Sequence, residues 1–435
     1  MSFRQQLTSF DSAKAFQLAG ILRQAASLLT GVILAQSGFS ADQIGSYEYV
    51  LFFVTSFSFF WINGITQYYL SRYQDIATPN RERKVAQLLI LLGMLGFGAV
   101  GATHLFSWTN LSGYLTWLVG LLLLLNVPSM FAEQVLFMKK NIRHQLVFSV
   151  LVFSLHTGLL LVMYWMKLRF EFIFLILFSL ALLKFAFMLV ITRAYIIERD
   201  TITNLTTILS ASLPFIGYYL ATGTAGIIDG WIIKWRWNDD GMFAVYKYGA
   251  RDLPLLGTLA IGLGAALLPM VNEDIKIALK QIKTRSAFLM HFIFPVMIVM
   301  VAFSEWIFPY IFNNEFVETA LIFSIYSFIV GSRFLYPHTI LSGLGYNTFL
   351  FYNSLVELGI NIVLSLAFSY FFGLAGLALG SVFAYYYEKI AAAVYLYKIK
   401  GIRLQEYTPM SLYLFYNFLL AFIFVISHFK IFKEL

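Results

Sequence analysis

Cysteine is absent from the 435-residue chain, and charged residues make up only 12% of it. The first absence excludes disulfides, thiolate catalysis and cysteine-ligated metals. The second excludes an ordinary soluble enzyme, because water-facing surfaces draw on about a quarter of charged residues in a typical globular chain. No polar stretch between apolar runs is long enough to build a soluble domain, so any function is exercised within the bilayer or at its edge. The 6 histidines offer no metal pair, since none has a carboxylate at ligand spacing, and nothing points to a cofactor.

What is present is apolar: 60% hydrophobic residues, 18% aromatic, and a mean hydropathy of +0.77. Apolar runs fall at 15–36, 44–70, 86–107, 112–138, 143–166, 170–195, 207–234, 241–270, 287–312, 317–345, 350–372, 375–398 and 410–429. Each approaches or exceeds the roughly 20 residues that a helix needs to cross ~30 Å of hydrocarbon, which predicts an all-α polytopic membrane protein. The net charge of +8 resembles that of a nucleic-acid binder, but its location excludes nucleic acid. With the N-terminus cytoplasmic, one side of the membrane receives Arg4, Lys14, Arg72, Arg81, Arg83, Lys84, Lys139, Lys140, Arg143, Arg193, Arg199, Lys276, Lys280, Lys283, Arg285, Lys398, Lys400 and Arg403. The opposite links receive Lys167, Arg169, Lys234 and Arg236. That asymmetry is the positive-inside rule and predicts a multi-pass protein of the cytoplasmic (inner) membrane. Thirteen crossings would leave Lys430 and Lys433 outside, against the rule, so the last run is expected either to cross as an extra segment or to lie in the interface or re-enter. The first 14 residues, polar with scattered Phe3, Leu7 and Phe10, read as an interfacial start rather than a cleavable signal peptide.

A weak internal repeat lays the stretch from Leu29 over the stretch from Ala225, placing Gly45 on Gly241. Both copies enter the membrane from the same side, which predicts six-helix halves at 1–200 and 201–400, parallel and related by a pseudo-twofold axis along the membrane normal, with a C-terminal hydrophobic segment at 401–435. The stretches Ile21-Leu-Arg-Gln-Ala, Gly45-Ser-Tyr-Glu-Tyr and Asn63-Gly-Ile-Thr-Gln-Tyr-Tyr-Leu-Ser-Arg72 resemble the first two helices of polysaccharide-export flippases of the multidrug, oligosaccharidyl-lipid and polysaccharide exporter superfamily. Leu213-Pro214, Asp229, Gly241, Tyr246, Pro254 and Leu267-Leu268-Pro269-Met270 continue the resemblance. It implies two six-helix lobes around a central cavity. It also implies a flippase that moves a polyprenyl-diphosphate-linked oligosaccharide, a surface polysaccharide precursor, across the membrane by alternating access.

Ionised residues inside a helix cost about 2.5–3.5 kcal/mol on insertion scales, so those inside the runs are the candidates for function. They are Arg23, Lys184, Lys247, Arg251, Arg333, Lys389, Glu48, Glu133, Asp229, Asp252, Glu357 and Glu388. Six of them, Arg23, Glu48, Asp229, Lys247, Arg251 and Asp252, lie on the four runs that the resemblance places around the cavity. Arg23 leads: it is about 12 Å along its helix at 1.5 Å per residue, too deep for easy snorkelling, and shares a face with Gly20, Ser27 and Thr30. A guanidinium there matches diphosphate oxygens, or else pairs with a carboxylate to fix packing. Lys247 and Arg251 are expected on one helix face, one turn before Pro254, as further phosphate contacts, with Asp229 and Asp252 the alternative partners that would neutralise them.

Asn353, Glu357 and Asn361 form one polar stripe, read either as helix-joining hydrogen bonds, the favoured reading, or as the site of a coupling proton or sodium ion. Glu388 and Lys389, being adjacent, are expected to pair with different helices, Arg333 serving Glu388. Glu133 and Lys184 are assigned to packing. Gly226 with Gly230, and Gly376 with Gly380, predict close helix approach. The competing functions are a cation-coupled multidrug exporter of the same superfamily, which needs a more acidic cavity, and a membrane glycosyltransferase or polymerase acting on lipid-linked sugars, which needs a larger outer loop.

Overall fold

The computed structural model of the chain describes residues 12–71, 80–105, 113–197, 201–251 and 256–428. The expected interfacial start therefore lies almost wholly outside the described residues, as do Arg72, Arg199, Asp252 and Pro254. Among the described residues every regular element is helical, the outcome that hydrocarbon imposes on a chain whose backbone groups must satisfy one another. Eleven helices are long and apolar enough to span a bilayer, one of them a double-length hairpin, so the chain is a multi-pass membrane protein.

The helices divide between two units, residues 1–39 with 46–223, and residues 40–45 with 224–435. The first is built from α1 (Ser12–Gln36), α2 (Ala41–Ser71), α3 (Arg81–Leu105), α4 (Gly113–Ser129), α5 (Phe131–Met138), α6 (Ile142–Trp165), α7 (Phe172–Thr192) and α8 (Thr201–Gly223). Its main packings are α3 on α4, α1 on α6 and α4 on α7, while α8 lies against α3. Leu88, Leu89, Val119, Phe131, Ile173 and Met188 are fully buried between these helices. The helix ends are written locally: Asn141 accepts from the backbone N–H of His144 at the start of α6, and Arg193 turns left-handed, φ 53°, where α7 stops. One apolar run, 112–138, is interrupted after α4. Pro128 lies in that helix's last turn, and Met130 forms the turn to α5.

The second unit comprises α9 (Ala225–Arg236), α10 (Asp240–Gly249), α11 (Leu256–Glu273), α12 (Ile275–Ala302), α13 (Ser304–Ile311), a 3-10 turn (Asn314–Phe316), α14 (Val317–Tyr326), α15 (Ile329–Arg333), α16 (Pro337–Gly343), α17 (Asn347–Lys400), α18 (Leu404–Tyr407) and α19 (Met410–His428). Two expected single spans are broken here. The run 207–234 is divided at Thr224, flanked by Gly223 and Gly226, and the run 241–270 ends its first helix at Gly249. Glycine is about 1 kcal/mol less favourable than alanine inside a helix, and apolar composition alone does not register that cost. The runs 350–372 and 375–398 are the two arms of α17, folded back on each other at Gly373, whose φ of 58° and ψ of −136° suit a residue without Cβ. Added Cβ atoms at Gly376 and Gly380 would collide with the Phe368 carbonyl oxygen and the Ser365 backbone nitrogen, so this pair brings the arms together as expected. At Gly226 a Cβ would meet nothing within 4 Å among the described residues, which show no close approach there. The final run forms α19, a helix of spanning length that packs on α12.

Candidate functional site

Within the first unit, α1, α2, α4, α5, α6 and α7 surround a cavity of about 200 Å³. Leu22, Leu51, Leu122, Val152, Phe153, Leu177 and Leu180 supply apolar walls, and the polar groups Arg23, Asn126, Glu133, His156 and Lys184 converge on it. Arg23 comes from mid-α1, where the neighbouring Ala19 and Ala26 are small enough to leave it room. Its Nη1 lies 2.7 Å from Oε2 of Glu133, and the two side chains differ sharply in exposure, 46% against 11%. Lys184 of α7 donates to Oδ1 of Asn126 in α4. The ring Nε2 of His156 lies 3.3 Å from the Thr30 hydroxyl, which also donates to the Ala26 carbonyl. Glu48, from α2, is 2% exposed, in the interior of the same unit.

Arg23 thus has a carboxylate partner, and the packing role expected for Glu133 and Lys184 understates them: both line the cavity that Arg23 faces. Asn126 and Glu133 are seven residues apart, on either side of the break at Pro128 and Met130. Seven residues are two helical turns, and the two side chains still converge on one cavity across the break.

The second unit gathers its polar groups differently. Asp229 of α9 accepts through Oδ2 from the Tyr246 hydroxyl of α10 and the Ser381 hydroxyl of α17, each at 2.6 Å, while its buried Oδ1 has no hydrogen-bond partner among the described residues. Two neutral donors therefore serve it, in place of the cation pairing considered for it. Lys247 is in the last turn of α10 with its Nζ 5.7 Å from the ring centre of Phe243, but Arg251 lies beyond the C-cap Ala250. The common helix face expected for Lys247 and Arg251 is lost because the helix stops between them.

The stripe Asn353, Glu357 and Asn361 continues through Ser365 and Ser369, and all five are buried. Asn353 donates to the Glu388 carbonyl of the second arm at 2.9 Å, whereas Ser365 donates to Oδ1 of Asn361 at 3.1 Å within the first arm. Only the first of these two bonds links the arms, and Glu357 is only 4% exposed with Oε1 lacking a hydrogen-bond partner among the described residues. At one end of the stripe Arg236 donates to Ser369 at 2.9 Å and lies over the rings of Trp237 and Tyr370. Near the other end Glu388 pairs with Lys389 at 2.8 Å and with His338 of α16 at 3.1 Å. Adjacent residues thus pair with each other, contrary to the expectation of different helices. Their long side chains converge on His338, whose Nδ1 is 3.4 Å from the lysine.

Nine-tenths or more of the chain can be laid over several solved structures. It is similar to the lipid II flippase MurJ in an inward closed conformation, with 15% identity over 96% of this chain and 98% of that one and a TM-score of 0.64. A MOP superfamily transporter from Pyrococcus furiosus gives 16% identity over 91% and 97% and a TM-score of 0.54. A multidrug resistance MATE family transporter of the MOP superfamily, in an outward-facing conformation, gives 15% identity over 90% and 96% and a TM-score of 0.54. No family model and no curated protein matches the chain. At the level of fold, the chain is a polytopic helical membrane protein built like the lipid II flippase MurJ and the MATE transporters of the MOP superfamily, as the resemblance in its sequence implied.

Proposed function

We propose that the protein is a flippase of the cytoplasmic membrane, N-terminus inside, which moves a polyprenyl-diphosphate-linked oligosaccharide between leaflets by alternating access. The observation that carries this reading is the cavity of the first unit, where Arg23 and Lys184 face one partly open space with apolar walls. Two cations held by one carboxylate and one neutral amide leave the site one positive charge in excess, the sign a diphosphate headgroup requires. Lys247 and Arg251 are proposed as further phosphate contacts. Asp229, Glu357, Asn353 and Asn361, with Glu48 and Asp252, are the candidates for holding a coupling proton or sodium ion. The step is transport, with no bond made or broken in the sugar.

In cells, Arg23→Ala is expected to reduce surface glycan by at least tenfold and to leave lipid-linked precursor in the inner leaflet, with the protein still inserted at normal abundance. Normal glycan export in that variant would refute the phosphate role. A cation-coupled multidrug exporter is the second reading, favoured by Oδ1 of Asp229 and Oε1 of Glu357, buried in the second unit with no hydrogen-bond partner among the described residues. It predicts cationic drug efflux that Arg23→Ala leaves intact.

A further inference from the structure

The cavity of the first unit already contains an anion of its own. Glu133 is almost enclosed, while the guanidinium it meets keeps nearly half its side-chain surface open. Arginine offers five N–H donors in a planar fork, and Nη1 of Arg23 is the atom that forms the 2.7 Å ion pair with Glu133. Carboxylate and phosphate oxygens compete for the same fork. A second cation is at hand: Lys184 lines the same cavity, and its hydrogen bond goes to the neutral amide of Asn126. The two anchoring residues belong to different helices, Asn126 to α4 and Glu133 to α5, with the break at Pro128 and Met130 between them.

Resting on the flippase reading above, we propose that Glu133 is the resident counter-ion of the transport site. It holds Arg23 when no anion is bound, and a phosphate group of the ligand displaces it toward Lys184. A fixed positive site would bind a diphosphate and keep it. A site with its own carboxylate makes every binding event an exchange, and the returning carboxylate expels the ligand. Glu133 is in this sense a positioning residue that sets affinity through Arg23 rather than by touching the substrate.

The test is calorimetric titration of inorganic pyrophosphate into the purified full-length chain in nanodiscs, at neutral pH and constant ionic strength. Wild type is expected to bind weakly, Glu133→Gln at least tenfold more tightly, and the double variant Glu133→Gln with Arg23→Ala not at all. A gain of affinity that disappears with Arg23 assigns the effect to competition between Glu133 and the anion for the guanidinium. If wild type binds and Glu133→Gln binds equally or more weakly, the counter-ion role is overturned and the anion site stands. If neither binds, the anion site itself is overturned, and the counter-ion role with it. Should Glu133→Gln fail to give a monodisperse protein, Glu133→Asp draws the carboxylate back by one methylene and is expected to tighten binding to a smaller degree; unchanged affinity there overturns the proposal equally.

Discussion

Arg23 and Glu133 meet at 2.7 Å although 110 positions of sequence separate them, so the pair depends on the packing of α1 on α5. Lys247 and Arg251 show the reverse: four residues apart, they would share a face only if the helix continued, and it stops at Gly249. Asp229 offers a clean check on chemistry against packing. Tyr246→Phe and Ser381→Ala each remove one hydrogen bond to Oδ2, so each is expected to lower stability by about 1 kcal/mol, read as an earlier thermal unfolding of the purified protein. Asp229→Asn retains an acceptor for both hydroxyls and is expected to fold normally. If Asp229 holds a coupling ion, that same variant loses gradient-driven transport in liposomes; transport at the wild-type rate would remove it from that role.

At the scale of elements, the positions of the helices followed from hydropathy and their interruptions did not. Apolar runs report where hydrocarbon forces a helix, whereas the breaks at Thr224 and after Gly249 depend on individual weak helix formers. The two Gly-x-x-x-Gly pairs have the same spacing and different packing. Gly380 is pressed against the Ser365 backbone while Gly226 faces open space. Alanine at Gly380 forces the arms of α17 apart, and overpacking of this kind costs about 1–3 kcal/mol. Gly380→Ala is accordingly expected to lower the thermal unfolding temperature measurably, and Gly226→Ala to leave it unchanged or raise it slightly. Equal effects from the two substitutions would contradict the hairpin packing described above.

For the molecule as a whole, the all-helical, many-span architecture could be read from composition and run length, and the similarity to MurJ and MATE structures extends over nearly all of it. The division into units departs from an even split by one helix, because α8 packs on α3 and stays with the N-terminal unit. The buried stripe of α17 has a consequence for how such a chain is made. Its first arm carries the buried Asn353, Glu357 and Asn361, and Asn353 finds its acceptor, the Glu388 carbonyl, on the second arm, synthesised later. Alone in lipid those groups are costly, so the first arm gains a stable place only when the second arrives. The two arms are thus expected to leave the insertion machinery as a pair. A chain ended at residue 372 and fused to a glycosylation tag should insert that arm poorly, and extending it to residue 400 should restore insertion. The order in which polar residues are placed along the chain would then set the timing of its entry into the membrane.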